Sequence, residues 1–205
     1  MNVLICCECS GVVREAFRAL GHNAWSNDIE PADDGSEFHI EGDCFDAIVR
    51  EGGVLPLPSH WDLIILHPPC TALANSGNHR YAKSGVCHQE RLDAIEWTLQ
   101  LWEHAKAHAP RVVLENPPGA IPMKAKQFIQ PYQYGHGEKK RTGLWLHGLW
   151  SLQFTDLVDG REEVMYNLPP NKHRAKKRSR TYEGIAKAMA DQFGSGRRDR
   201  LPEGG

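Results

Sequence analysis

The stretch DLIILHPPCTALANSG, residues 62–77, decides the fold. Its apolar run shows no alternation, which is the pattern of a parallel strand buried on both faces of a sheet. Pro68 and Pro69 follow, and with no N–H to give the ladder they end that strand abruptly. Cys70 comes next. Two readings are open for it: prolines that stiffen the backbone aim the thiol into a cleft, or the segment is an ordinary turn holding a buried, inert cysteine. RVVLENPPG, residues 111–119, repeats the shape with Glu115 and Asn116 ahead of its prolines.

Working outward, strand and helix patterns alternate. NVLICC (2–7) reads as a buried first strand and GVVREAFRAL (11–20) as a helix stopped by Gly21. HNAWSND (22–28) and FHIEGD (38–43) are strands that each end in an acid, and CFDAIVREG begins a helix closed by Gly52. A loop covers 52–60, and residues 71–87 form a long polar loop. Residues 87–109 predict a long helix with Leu92, Ile95, Leu99 and Trp102 along one side. YGHGEKKRTGLWLHGL (134–149) predicts two short strands around a glycine-rich turn, and residues 179–194 a last helix with Thr181 as N-cap and Gly194 as stop.

Such alternation implies an α/β fold, a mostly parallel sheet with helices on both faces, whose ligands bind at the carboxyl ends of the strands. That rule gathers the Cys7–Gly11 turn, Asp28, Asp43, the HPPC turn and the ENPP turn onto one rim. One domain over residues 1–194 and a disordered tail over 195–205 are expected.

The chain has 205 residues, 40% of them hydrophobic, and no apolar run approaches the roughly 20 residues of a membrane span. Its N-terminus lacks the basic start of a secretory signal. Six cysteines at 6, 7, 9, 44, 70 and 87 are spaced too unevenly for a secreted disulfide framework, so a reducing cytoplasm is expected. Charge is divided: residues 1–121 carry 8 Lys and Arg against 17 Asp and Glu, whereas 122–205 carry 16 against 9. An acidic part joined to a basic part suggests one face for a small cofactor and another for an anionic partner. The densest basic run, NKHRAKKRSR (171–180), is either a phosphate-contacting segment or a solvated charge run.

Two acids at strand ends suit a nucleoside, since carboxylates accept hydrogen bonds from ribose hydroxyls and from an adenine amino group. Asp28 and Asp43 are those acids, although both positions equally suit helix N-caps. Ser10-Gly11 adds a tight turn where backbone can approach a ligand closely, without the GxGxxG pattern of a dinucleotide cradle. A thiolate at Cys70 would be a nucleophile towards an electron-poor carbon such as pyrimidine C6. A carboxyl at Glu115 could protonate the ring nitrogen that takes up the charge.

Taken in order, CECSGVVREAFRALG, the ND pair at 27–28, GDCFD, HPPCT, LENPPG, GEKKRTGLWL and TYEGIAKAMADQ resemble the motifs of the DNA cytosine-5 methyltransferases, in particular the short phage and prophage forms. The resemblance implies a Rossmann-like S-adenosylmethionine-dependent fold and methyl transfer to C5 of cytosine. Cys70 would add to C6, and Glu115 would bond the amino group and N3. The base would be flipped out of a duplex or taken from a single strand, with residues 71–85 closing over it. It assigns Glu8, Ser10, Gly11, Asp28, Ile29, Asp43, Cys44, Pro68 and Gly184 to S-adenosylmethionine, and Thr71, Arg80, Asn116 and Arg141 to DNA. No metal and no membrane are implied. Departures are visible: Thr71 stands where glutamine is common, ENP replaces ENV, and the stretch between residues 148 and 180 is too short for the usual target recognition domain.

Three other readings remain open. A methyltransferase could act on free pyrimidine nucleotides, as the short stretch permits. An amino-group methyltransferase would use NPPG at 116–119, which lacks the aromatic that would stack on the base. A non-enzymatic nucleic-acid binder would need a metal on Cys6, Cys7, Cys9, Cys87 and His88, and C-C-x-C has no second CxxC partner.

Overall fold

A computed structural model describes residues 1–49, 57–163 and 178–195. Seven strands in these residues form one sheet: β1 (Asn2–Cys6), β2 (Asn23–Asp28), β3 (His39–Glu41), β4 (Leu63–Leu66), β5 (Val112–Asn116), β6 (Gln127–Ile129) and β7 (Thr142–His147). Their order is β3-β2-β1-β4-β5-β7-β6. The first five are parallel, and β7 runs antiparallel to both β5 and β6.

The helices are α1 (Val12–Ala19), α2 (Cys44–Val49), α3 (Asn78–Tyr81), α4 (His88–His108) and α5 (Glu183–Gly194). Alternate residues of the central strands feed two cores, because successive strand side chains point to opposite faces. Val3, Ile5, Leu63, Ile65 and Val113 pack with Val13 and Phe17 of α1 and with α5. Leu4, Cys6, Ile64, Leu66, Val112 and Leu114 pack with α2 and α4. Both faces are therefore covered, which is why these strands read as unbroken apolar runs.

From β1 the chain winds through α1 to β2 and β3, then returns across the sheet to β4 on the other side of β1. The carboxyl ends of β1 and β4 thus flank a topological switch point, where α/β sheets open a crevice for ligands.

Several expectations are corrected. β6 lies at Gln127–Ile129, so residues 134–149 contribute one strand, β7, rather than two. The buried side of α4 carries Arg91, Thr98, Leu101, Trp102 and Ala105, while Leu92 is 44% exposed. Polar Arg91 and Thr98 hid that stripe from an apolar count. The 71–87 loop contains a 3₁₀ turn at Asn75–Gly77 and the single turn α3. α2 is described to Val49, and its expected stop at Gly52 lies outside the described residues, as do 171–177 of the basic run and 196–205 of the tail.

Candidate active site

Beyond β4, Pro68 and Pro69 leave the ladder and Cys70 closes a tight turn, its carbonyl accepting from Leu73 N (3.1 Å) and Ala74 N (2.8 Å). The following segment is clamped rather than released. Ala74 and Gly119 form an antiparallel bridge, Asn75 N donates to Pro118 O (3.0 Å) and Ala120 N to Leu73 O (2.8 Å). A Cβ on Gly119 would run into the Leu73 carbonyl, so only glycine allows the two turns this approach.

Arg91 holds the segment from α4. Its buried guanidinium donates to Ala72 O (2.6 Å), Ala74 O (3.2 Å) and Asn78 Oδ1 (2.8 Å). Asn116, expected on the substrate, is 1% exposed and donates to Pro68 O at 2.9 Å, tying the Cys70 turn to the end of β5. Thr71 and Arg80 are exposed, and the Arg80 Nε donates to Cys87 Sγ at 3.1 Å. Arg141 lays its guanidinium over Phe128, 4.1 Å from the ring centroid.

Glu115 is the last residue but one of β5, beside β4, with Leu114 in register with Leu66. Its Oε2 accepts from His67 Nδ1 at 2.9 Å and from Thr181 Oγ1 at 3.3 Å. Thr181 therefore does not cap α5; Tyr182 holds that position with no side-chain cap. Burial pushes the Glu115 carboxyl up, but the His67 hydrogen bond and charge, Lys140 and Thr181 outweigh it and hold the group below the usual carboxylate range. For His67 burial works downward, and Glu115 and then Glu8 overcome it against Lys140, so the imidazole keeps its proton above the ordinary histidine range. Cys70 is pushed up, first by burial and further by Glu115, while Lys140 and Arg178 pull it down without prevailing. The hydrogen bond between His67 and Glu115 thus favours the charged form of each, and burial favours the neutral form of the Cys70 thiol.

Lys140 is the cation common to all three groups. Its Nζ donates to Arg180 O at 3.1 Å and lies 5.7 Å from the Tyr182 ring centroid. His67, Arg91, Lys140 and the Thr181 contact to Glu115 were not assigned from sequence. His67 stood inside the HPPC motif and Lys140 beside Arg141, so position alone could have drawn attention to them.

Across the crevice the nucleoside candidates divide. Glu8 is 6% exposed, and its carboxylate accepts from Val13 N (2.8 Å), Arg14 N (3.3 Å) and Ser10 Oγ (3.3 Å). It caps α1 from the preceding turn, with negative charge at the helix N-terminus. Gly11 takes φ 68°, and a Cβ there would strike the buried Arg14 guanidinium. Arg14 itself donates to Ser26 Oγ (2.8 Å) and Glu15 (2.9 Å) and pairs with Asp34, fixing α1 to β2.

Asp28 sits at the end of β2, its Oδ1 accepting from Glu30 N at 3.1 Å, beside Ile29, which is 78% exposed. Asp43 accepts from Phe45 N at 2.7 Å, the N-cap geometry its sequence position allowed, and remains exposed. Cys7 adopts φ 60° at the switch point, and its thiol is pushed up first by the hydrogen bond it donates to the buried, free Cys44 and then by its own burial. Pro68 is buried, and Gly184 packs on the Tyr134 carbonyl while its N–H donates to His136 Nε2 at 3.0 Å. Among the described residues no group of three His, Cys, Asp or Glu could hold a metal, and no helix is long and apolar enough to cross a membrane.

No protein-family model and no curated protein matches the sequence. Among solved structures, the Entamoeba histolytica methyltransferase EhMeth is similar, with a TM-score of 0.48 at 13% identity over 83% of this chain. The match spans 60% of EhMeth.

Proposed function

We propose that the chain is an S-adenosylmethionine-dependent methyltransferase that methylates C5 of cytosine in DNA through a Cys70–C6 adduct. The observation that carries this reading is the clamped pair of turns at the ends of β4 and β5. Supporting it, the Cys70 thiol and the buried Glu115 carboxyl lie close enough for the one to feel the other's charge, next to the switch point of the sheet. The crevice residues fit an adenosine: Asp28 offers acceptors for hydroxyls, Ile29 an apolar surface held out at the rim, and the Ser10-Gly11 turn a close backbone. When bound, S-adenosylmethionine supplies an electrophilic methyl group.

The chain's own groups do the rest. Cys70 adds to C6 as the thiolate, and because burial pushes its thiol up, losing that proton is part of the step. Glu115 orients the base through the amino group and N3, and the electron pair displaced by the thiolate is taken up at N3. Clamping by Arg91 and Gly119 keeps thiol and carboxyl in register, the positioning contribution to the rate. Lys140, Arg141 and Arg178 supply positive charge for the phosphates of a flipped base or single strand.

The test is transfer of labelled methyl from S-adenosylmethionine to cytosine-containing DNA by wild type and Cys70→Ser. Label at C5, abolished in Cys70→Ser with cofactor binding retained, is the expected result. Label confined to free dCMP would change the substrate, label on an exocyclic nitrogen would change the reaction, and transfer surviving in Cys70→Ser would overturn the mechanism.

A further inference from the structure

Addition of a thiolate to C6 builds negative charge at N3, and Glu115, the acid assigned to that nitrogen, sits in a hydrogen-bonded pair that lowers its pKa. His67 is its partner. Its Nδ1 lies 2.9 Å from Glu115 Oε2, both side chains are about nine-tenths buried, and its Nε2 is buried with no hydrogen-bond partner among the described residues. Nδ1 is therefore the nitrogen through which His67 exchanges a proton with a protein group, and that group is Glu115.

Resting on the function proposed above, we propose that His67 and Glu115 form a one-proton store in which His67, acting through Glu115, supplies the proton that the pyrimidine ring nitrogen takes up. The step balances. As the Cys70 sulfur–C6 bond forms, the C5–C6 π electrons shift through the ring onto N3. The carboxylate of Glu115 takes the Nδ1 proton of the imidazolium and hands it to N3, leaving neutral imidazole and carboxylate. After methyl transfer, loss of the C5 proton to solvent re-forms the C5–C6 double bond as the sulfur–C6 bond breaks, and N3 returns its proton through Glu115 to the imidazole. Of the groups facing His67, Glu115 and Glu8, on the β1–α1 turn, favour its charged form, while Lys140, just before β7, opposes it. Thr181 keeps Oε2 turned to the pair from the start of the last helix.

His67→Asn separates a proton store from an anchor. The amide can still donate to Oε2 but carries no titratable proton. Single-turnover methylation of a cytosine oligonucleotide is compared across pH in wild type and variant, with cofactor binding as the folding control. The wild-type-to-variant rate ratio should be about 10²-fold near neutral pH, within the range of general acid catalysis. It should shrink by about tenfold per pH unit towards acid, where Glu115 takes its proton from solvent. A ratio near one at neutral pH, or a ratio constant with pH, overturns the proposal. Imidazole ¹⁵N NMR of the substrate-free protein gives a second readout. The His67 signal should titrate above the ordinary histidine range and fall in Glu115→Gln, and a His67 that is neutral at pH 6 also overturns it. If the NMR behaviour holds while wild type methylates no cytosine, the shared proton stands and it is the cytosine reading that fails.

Discussion

The two sides of the crevice use carboxylates in opposite ways. On the β1–β2–β3 side, half-buried Asp28 and exposed Asp43 keep access to solvent, each accepting a local backbone hydrogen bond. On the β4–β5 side Glu115 is about nine-tenths buried, bonded by His67 and Thr181 and influenced by Lys140. An exposed acid is cheap to hold and free to accept from a ligand's hydroxyls, so it suits binding. A buried acid is ionised only because its partners make it so, and its protonation state becomes adjustable by chemistry next to it. Glu8 shows that burial alone is not the distinction: its hydrogen bonds run to its own helix, which makes it a cap.

Variants that act on one side only should separate the two roles. Glu115→Gln should give the largest effect, a fall of roughly 10²–10⁴ in single-turnover methyl transfer with cofactor affinity unchanged, measured by labelled methyl incorporation and calorimetry. Asp28→Ala should do the reverse, weakening cofactor binding by about 10- to 100-fold through one lost charge-assisted hydrogen bond. It should leave thermal stability within about 0.5 kcal/mol of wild type, as for an ordinary surface change. Asp28→Ala that unfolds the chain, or Glu115→Gln that abolishes cofactor binding, would erase the division between the two sides.

Arg91→Met removes the donors to two carbonyls and Asn78 while keeping the apolar stem, at an expected cost of about 1–3 kcal/mol from acceptors left unpaired. Denaturant unfolding measures that loss, and methyl transfer should fall with it because the Cys70 segment loses its clamp. Glu8→Gln should cost about 1 kcal/mol, the worth of a helix cap.

Smallest of all is the pH dependence of stability carried by the buried pair. The Glu115 pKa is lowered on folding, so its contribution is present above about 4.5 and lost as pH falls through the folded value. The His67 pKa is raised, so its contribution is present below about 6.5 and lost as pH rises through the folded value. The pair therefore stabilises most between those limits. In His67→Asn the excess stability in that window should disappear, read from thermal unfolding at pH 5.5 and 8.5.

Much of this division was legible in the sequence. Apolar runs ending near prolines placed Glu115 at the end of one strand and Cys70 just past another, and the acid closing the shorter HNAWSND pattern placed Asp28, because a buried parallel strand leaves its carboxyl end for chemistry. What stayed hidden were the contacts made across long sequence separations. Thr181 reads as an N-cap in its own segment, and only the return of the last helix to β5 brings it to Glu115. Arg91 reads as one more charge on an exposed helix, until the loop carbonyls it collects are seen. β6 is three residues long, paired along one edge, and Phe128 at its centre is 42% exposed, so it carries no apolar pattern to read.

The most direct test of the whole account is covalent capture. An oligonucleotide carrying 5-fluorocytosine blocks loss of the C5 substituent, so a thiol that adds to C6 stays attached after methyl transfer. Intact mass spectrometry with S-adenosylmethionine present should find protein, oligonucleotide and one methyl group joined, with the link mapping to Cys70 and absent in Cys70→Ser. An unmodified protein after full incubation with both, or an adduct on another residue, would contradict it.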